Sequence, residues 1–155
     1  MIKKLYDKVV NVLSKQPSAG REAAEREKAL RLATAVLMVD VARADHVFYE
    51  TEFDEVLTLV ETHFCLTPED SAELVNEADF KAENLTSLHE FTQLLHSNLD
   101  ENEKASIVKM LWKIAYADGR LDKYEDSLVL KISDLLHVSR GRVMKLKHDA
   151  EIDNA

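Results

Sequence analysis

The sequence predicts an all-α fold: a compact bundle of about seven to eight helices with an internal duplication. Three observations carry that expectation. Only three Gly and two Pro interrupt 155 residues, which favours long helices over many short strands. Apolar residues recur three and four apart along most of the chain, the period of a helix with one buried face. One segment also returns after 73 residues with its apolar and acidic positions in the same order.

Ile2, Leu5, Val9, Val12 and Leu13, interleaved with Lys3, Lys4 and Lys8, make a short amphipathic basic helix. Residues 1–20 are expected to be this helix and a linker broken at Gln16-Pro17-Ser18-Ala19-Gly20. The helix suits docking on the core, or peripheral contact of residues 2–13 with an anionic membrane surface. Residues 21–150 are expected to be one helical domain, with repeats at about 25–78 and 100–149. A long helix from about Arg21 to Ala44 carries the apolar stripe Ala29, Leu30, Ala33, Val36, Leu37 and Val41. After a turn near 45–49, a second helix holds Phe53, Val56, Leu57 and Val60. Thr67-Pro68-Glu69-Asp70 reads as a helix start, with a Thr cap, Pro at the first helical place and acids in the first turn. That helix is expected to fade near Asp79. The next, Leu85 to His96, turns Leu88, Phe91, Leu94 and Leu95 inward. Asp100 and Glu103 form a capping-box pattern opening a helix to Ala117. Asp118-Gly119 makes a turn, Asp122 to Leu136 is helical, and Ser139 caps a last basic helix with Arg140, Arg142, Lys145 and Lys147.

The net charge is −9, and the stretch Glu50–Glu83 holds eleven acids against one base, Lys81. The acidic excess is therefore local. Such a face repels nucleic-acid phosphates and attracts cations. No segment approaches 18 uncharged apolar residues, so no membrane span is expected, and Met1–Ser14 lacks the apolar run of a secretory signal. The single cysteine, Cys65, sits beside Phe64 and Leu66 and reads as a small buried hydrophobe in a reducing compartment. The six histidines show no chelating pair; His89 and His96 share a helix face two turns apart, and only His46, beside Asp45, is kept as a possible ligand. No phosphate-binding Gly-rich loop, nucleophile elbow, His-Glu-x-x-His or zinc pattern occurs. The chain is therefore expected not to be an enzyme.

The repeat places Val41-Ala42-Arg43-Ala44-Asp45 on Ile114-Ala115-Tyr116-Ala117-Asp118, and Glu52 on Glu125. Further on, Val56, Leu57 and Leu59 fall on Val129, Leu130 and Ile132. Two helix–turn–helix units with matching apolar stripes are expected to pack about a pseudo-two-fold axis, which would bring the two acidic corners together. The second corner imitates the latter half of a calcium-binding EF-hand loop: Asp118, Gly119, Asp122 and Glu125 fall on its places. The first half fails, because Ile114 and Tyr116, or Val41 and Arg43 in the first copy, offer no carboxylate. One loop alone cannot wrap an ion. The candidate metal ligands are therefore Asp45, Glu50, Glu52, Asp118, Asp122 and Glu125 drawn from both copies, with Ca2+ or Mg2+ as the ion carboxylate oxygens suit best. Without an ion, Asp118-Gly119 is a tight turn and Asp122 with Glu125 a capping box. Asp40, in an apolar helix, has Lys113 as its repeat partner, and the two are a candidate structural charge pair.

At these residues the chain resembles the TerB-like family of tellurite-resistance-associated proteins, whose domain also occurs at the N-terminus of DjlA-like membrane co-chaperones. The resemblance rests on Ile114-Ala115-Tyr116-Ala117-Asp118-Gly119, on Leu121-Asp122-Lys123-Tyr124-Glu125, and on the diverged twin at Ala44–Glu52; it covers roughly Glu25 to Lys147. No J-domain signature is present, so the chain resembles the stand-alone form. His46 stands where the turn Gly is expected, and Tyr49 where the second Asp is expected, so the first half-site departs from the pattern. The resemblance implies a helical bundle, an acidic surface for divalent cations, and a role in stress or toxic-anion response near the inner membrane face. The resulting expectation is a cytoplasmic, non-enzymatic module with protein partners and no nucleic acid. The alternative is a metal-free protein-interaction scaffold.

Overall fold

In a computed structural model the described residues are 21–44, 50–84, 88–117 and 123–153. They form seven helices and no strand: α1 (Arg21–Ala42), α2 (Glu50–Phe64), α3 (Pro68–Glu83), α4 (His89–Asn98), α5 (Glu101–Ala115), α6 (Lys123–Leu135) and α7 (Arg140–Asp153). The amphipathic helix expected within residues 1–20 lies outside the described residues.

The centre of the bundle is α1. Its expected stripe is present, but every residue from Leu32 to Val39 is buried, not one face alone. The cause is position: α2, α3, α4, α5 and α6 all pack against it. A helix apolar all round belongs in such an interior. The second scaffold is α5, which buries Ile107, Val108, Leu111, Trp112, Ile114 and Ala115 against the same core.

The duplication is visible in the element bounds. A shift of 73 carries the end of α1, Ala42, onto the end of α5, Ala115, and the start of α2, Glu50, onto the start of α6, Lys123. The packing obeys the same exchange. Within the first unit α1 packs on α2 and α3, and α2 on α3; within the second, α5 packs on α6 and α7, and α6 on α7. Between units α1 meets α5, while the contacts α1–α6 and α2–α5 are each other's images. That is the pattern a two-fold relation produces, with α1 and α5 at the axis and α4 as connector.

The register slips by one residue inside the second helix of each unit. α2 ends with Leu66 N–H donating to the Glu61 carbonyl at 3.1 Å, around Cys65 at φ 54°. α6 ends with Val138 N–H donating to the Ser133 carbonyl at 3.1 Å, around His137 at φ 62°. Both are left-handed C-terminal caps built without glycine. They equate Cys65 with His137, an offset of 72. With that offset Val60 matches Ile132, both fully buried, whereas Leu59 is only partly buried. The expected Leu59–Ile132 equivalence is thus corrected by one place. Ser71 then matches Val143, and Ala78 matches Ala150, all buried.

The caps read from sequence are formed. The Thr67 hydroxyl accepts from Asp70 N–H at 3.1 Å. Asp100 accepts from Glu103 N–H at 2.8 Å while Glu103 accepts from Asp100 N–H at 3.0 Å, and Ser139 accepts from Arg142 N–H at a longer 3.4 Å. Cys65 overturns its expectation, because the thiol is exposed. Its left-handed backbone ends the helix there and turns the side chain away from the core that Phe64 and Leu66 pack against.

Candidate functional site

The candidate site is the pair of corners, one joining α1 to α2 and the other joining α5 to α6. Asp45, Asp118 and Asp122 lie outside the described residues, as do the side chains of Glu50 and Glu52 in the first turn of α2. His46 and Tyr49 fall there as well. Glu125 is described, and it is the notable one. It sits in the first turn of α6 with no solvent exposure at all, among the largest fully buried side chains. Its candidacy was legible from sequence, but its burial was not. Among the described residues no group of three or more His, Cys, Asp or Glu converges in a way that could hold a metal ion.

What surrounds the corners explains why an EF-hand cannot form at either of them. Arg43 and Tyr116 hold the place two residues before each corner Asp, where an EF-hand carries a carboxylate ligand. Arg43 is committed to α3, its guanidinium paired with the Asp79 carboxylate. Tyr116 is buried, and its phenol is pushed above the usual range by burial first, and then by the Glu151 carboxylate on α7. Asp79 and Glu151 are themselves repeat equivalents at the offset of 72. The equivalent positions thus differ: Arg43 is ion-paired to the third helix of its unit, whereas at Tyr116 the equivalent carboxylate acts as a nearby negative charge that disfavours the phenolate.

The helices of the second unit are tied to one another near this corner. Lys147 on α7 donates to Asp126 of α6 at 2.7 Å and lies 5.3 Å over the Trp112 ring. The Trp112 indole N–H donates to the Val143 carbonyl at 3.2 Å. α5, α6 and α7 are so joined beside Glu125's own turn.

The expected Asp40–Lys113 pair is not formed: among the described residues no ion pair joins them. Asp40 is half-buried, and burial raises its carboxyl above the ordinary carboxylate range while Arg43 and Lys131 pull it back down. The cations near Asp40 therefore come from the turn that follows its helix and from α6, not from the repeat partner on α5.

A cleft of about 390 Å³ opens at the other ends of α2 and α5, one helix length from the corners, or about 22 Å for 15 residues. Arg31 spans it, bound to Glu27 at 2.9 Å and lying 5.7 Å from the Phe64 ring centroid. His63 on its wall is held below the usual histidine range by burial. No described helix is long and apolar enough to cross a membrane.

Fold and corners together define a class: a duplicated all-helical module whose two units repeat one acidic corner. The chain belongs to the TerB family. The sequence model described as Tellurite resistance protein TerB matches residues 31–148, most of both units. No curated protein and no solved structure matches the chain.

Proposed function

We propose that this TerB-family chain is a non-enzymatic, stress-associated module whose paired corners take up a divalent cation. The ligands would be drawn from Asp45, Glu50, Glu52, Asp118, Asp122 and Glu125, with Ca2+ or Mg2+ as the ion. The observation that carries the reading is the burial of Glu125 in the first turn after a duplicated acidic corner. A carboxylate in a low-dielectric place interacts with a cation more strongly than a solvated one does. Val41 and Arg43, like Ile114 and Tyr116, offer no carboxylate at the first two ligand places of a loop, and Arg43 is paired with Asp79, so an ion would draw its ligands from both units. Binding would offset repulsion among the acids and lock the units together. The test is calorimetric titration of Ca2+, Mg2+ and Mn2+ into chelator-treated protein, with Asp118→Asn and Glu125→Gln alongside. Saturable binding weakened by both substitutions supports the site; no heat and no stabilisation with any of the three ions refutes it.

A second reading is favoured by α3, which exposes Glu69, Asp70, Glu73 and Glu77, and also Phe80 at 50% exposure. Such a surface suits a metal-free scaffold for protein partners, at the cytoplasmic face of the membrane if residues 2–13 bind lipid. Partner capture that survives chelator and Asp118→Ala would select this reading.

A further inference from the structure

The third helices of the two units occupy equivalent places and carry opposite charge. α3 packs on α1 and α2, and α7 on α5 and α6, so each lies on the flank of its own unit. Residues 68–76 of α3 hold three acids and no base, and residues 140–148 of α7 hold four bases and no acid. At the offset of 72 the sign inverts place by place: Asp70 matches Arg142 and Glu73 matches Lys145, and all four are exposed. Phe80 and Ile152 match as well, at 50% and 58% exposure. Positions 70, 73, 77 and 80 share one helix face by their spacing, as do 142, 145, 149 and 152.

These charges are available to a partner. Among the described residues no ion pair engages Asp70, Glu73 or Lys145. Arg142 gives one donor to the neutral Asn102 amide oxygen at 3.0 Å and keeps its charge, whereas Arg140 and Lys147 are already paired with Asp134 and Asp126. α7 is also charged against its own dipole: its first turn holds Arg140 and Arg142 and no acid, although the positive end of a helix favours carboxylates. α3 has the favourable arrangement, with Glu69 and Asp70 in its first turn. A parallel, in-register pairing of the two faces sets those acids against both the Arg142 guanidinium and the start of α7, and lays Phe80 on Ile152. An antiparallel pairing puts Phe80 against Arg142 and forfeits both gains. The one like-charged match in the parallel register is Glu77 with Asp149, which is half-buried and has the exposed His148 beside it.

We infer that α3 of one chain binds α7 of a second copy of the chain, side by side and in parallel, through Asp70 with Arg142, Glu73 with Lys145 and Phe80 with Ile152. The contact is heterologous. It leaves α7 of the first chain and α3 of the second free, so growth need not stop at two copies. The net charge of −9 on each chain opposes it. Range decides between the two effects. The pairs act across a few ångströms, while the net repulsion acts between whole chains, and at about 0.1 M salt exposed charges more than about 10 Å apart are largely screened. Near that ionic strength the contact pairs outlast the repulsion. The inference rests on the scaffold reading only for the exposure of α3, and on the cation reading not at all, since none of its residues belongs to the corners.

Sedimentation velocity on the full chain, with chelator present and at about 0.1 M salt, tests the pairing over concentrations from about 1 μM to about 1 mM. The weight-average mass should rise with concentration above that of one chain. Two charge-reversed variants follow: Asp70→Lys with Glu73→Lys, and Arg142→Glu with Lys145→Glu. All four sites are exposed, and the Thr67 cap survives because it is bonded to the backbone N–H of residue 70. Each variant alone should associate at least about tenfold more weakly, since like charge now faces like. Mixed in equal amounts the two should recover association, because the basic α3 of one meets the acidic α7 of the other. Reversal moves the charge by four either way from −9, so both variants stay net negative and bulk attraction cannot drive the recovery. Phe80→Ser should weaken association with every charge in place. A wild type that stays monomeric, or variants that associate as it does and gain nothing on mixing, overturns the pairing. So does a monomer that α7 instead carries onto anionic phosphatidylglycerol vesicles. Either failure leaves capture of other proteins by α3 to its own assay.

Discussion

Trp112→Phe tests the node that ties α5 to α7 beside the second corner. Trp112 is fully buried and is the chain's single tryptophan. The substitution removes its indole N–H bond to Val143, worth about 1 kcal/mol net. It weakens the contact with the Lys147 ammonium, worth roughly 0.5–1 kcal/mol because Lys147 is partly exposed. It also leaves a void of roughly 40 Å³, which costs about 1 kcal/mol if the site does not collapse. The Val143 carbonyl keeps its place within α7, so no orphan acceptor adds to the loss. Together these give a destabilisation of about 2–3 kcal/mol, read as a lower urea midpoint at unchanged m by circular dichroism, since the variant lacks the fluorophore. A change under about 0.5 kcal/mol would mean that Trp112 does not tie α7 to α5.

Three further outcomes are expected. Cys65→Gly relieves a left-handed backbone at φ 54° and should stabilise by roughly 0.5–1 kcal/mol after the entropy cost of glycine, seen as a raised Tm; a lower Tm would contradict the cap assignment. Asp100→Ala removes the side-chain half of the α5 capping box, the bond from Glu103 N–H, and should cost about 1 kcal/mol in urea unfolding; an unchanged midpoint would show that this cap adds nothing. Asp40→Asn should raise stability at neutral pH. Because the folded carboxyl is raised, wild type gains stability relative to its unfolded chain as pH falls towards the carboxylate range. The advantage of Asn should therefore shrink on acidification, and an advantage that grows would invert the sign.

Much of the fold was legible because its signals are local. The caps at Thr67 and Asp100 depend on neighbours three residues away, and the corner repeat is a run of matched residues. Long-range facts were not legible. The stripe on α1 understated its burial because nothing in one helix says how many others will surround it. The one-residue slip between repeats shows only where Cys65 and His137 adopt the same backbone, and that cap is also what exposes Cys65. Asp40 and Lys113 are equivalent in sequence, yet Asp40 has its cations in the turn after α1 and on α6. At the candidate site the sequence supplied Glu125 but not its burial. His96 looked isolated because its partners, Lys104 and His137, come from other elements; their only sequence signal was His137 at the place where the first unit ends its helix.

The most direct test of the central claim is the melting temperature of chelator-treated protein with Ca2+, Mg2+ and Mn2+ added in turn. A ligand at 100 times its Kd stabilises the folded state by about 2.7 kcal/mol. For a chain of this size that corresponds to a rise of roughly 5–10 °C. Such a rise is expected with Ca2+ or Mg2+, and its loss in Asp118→Asn and Glu125→Gln. Superimposable melting curves with and without every ion would contradict it.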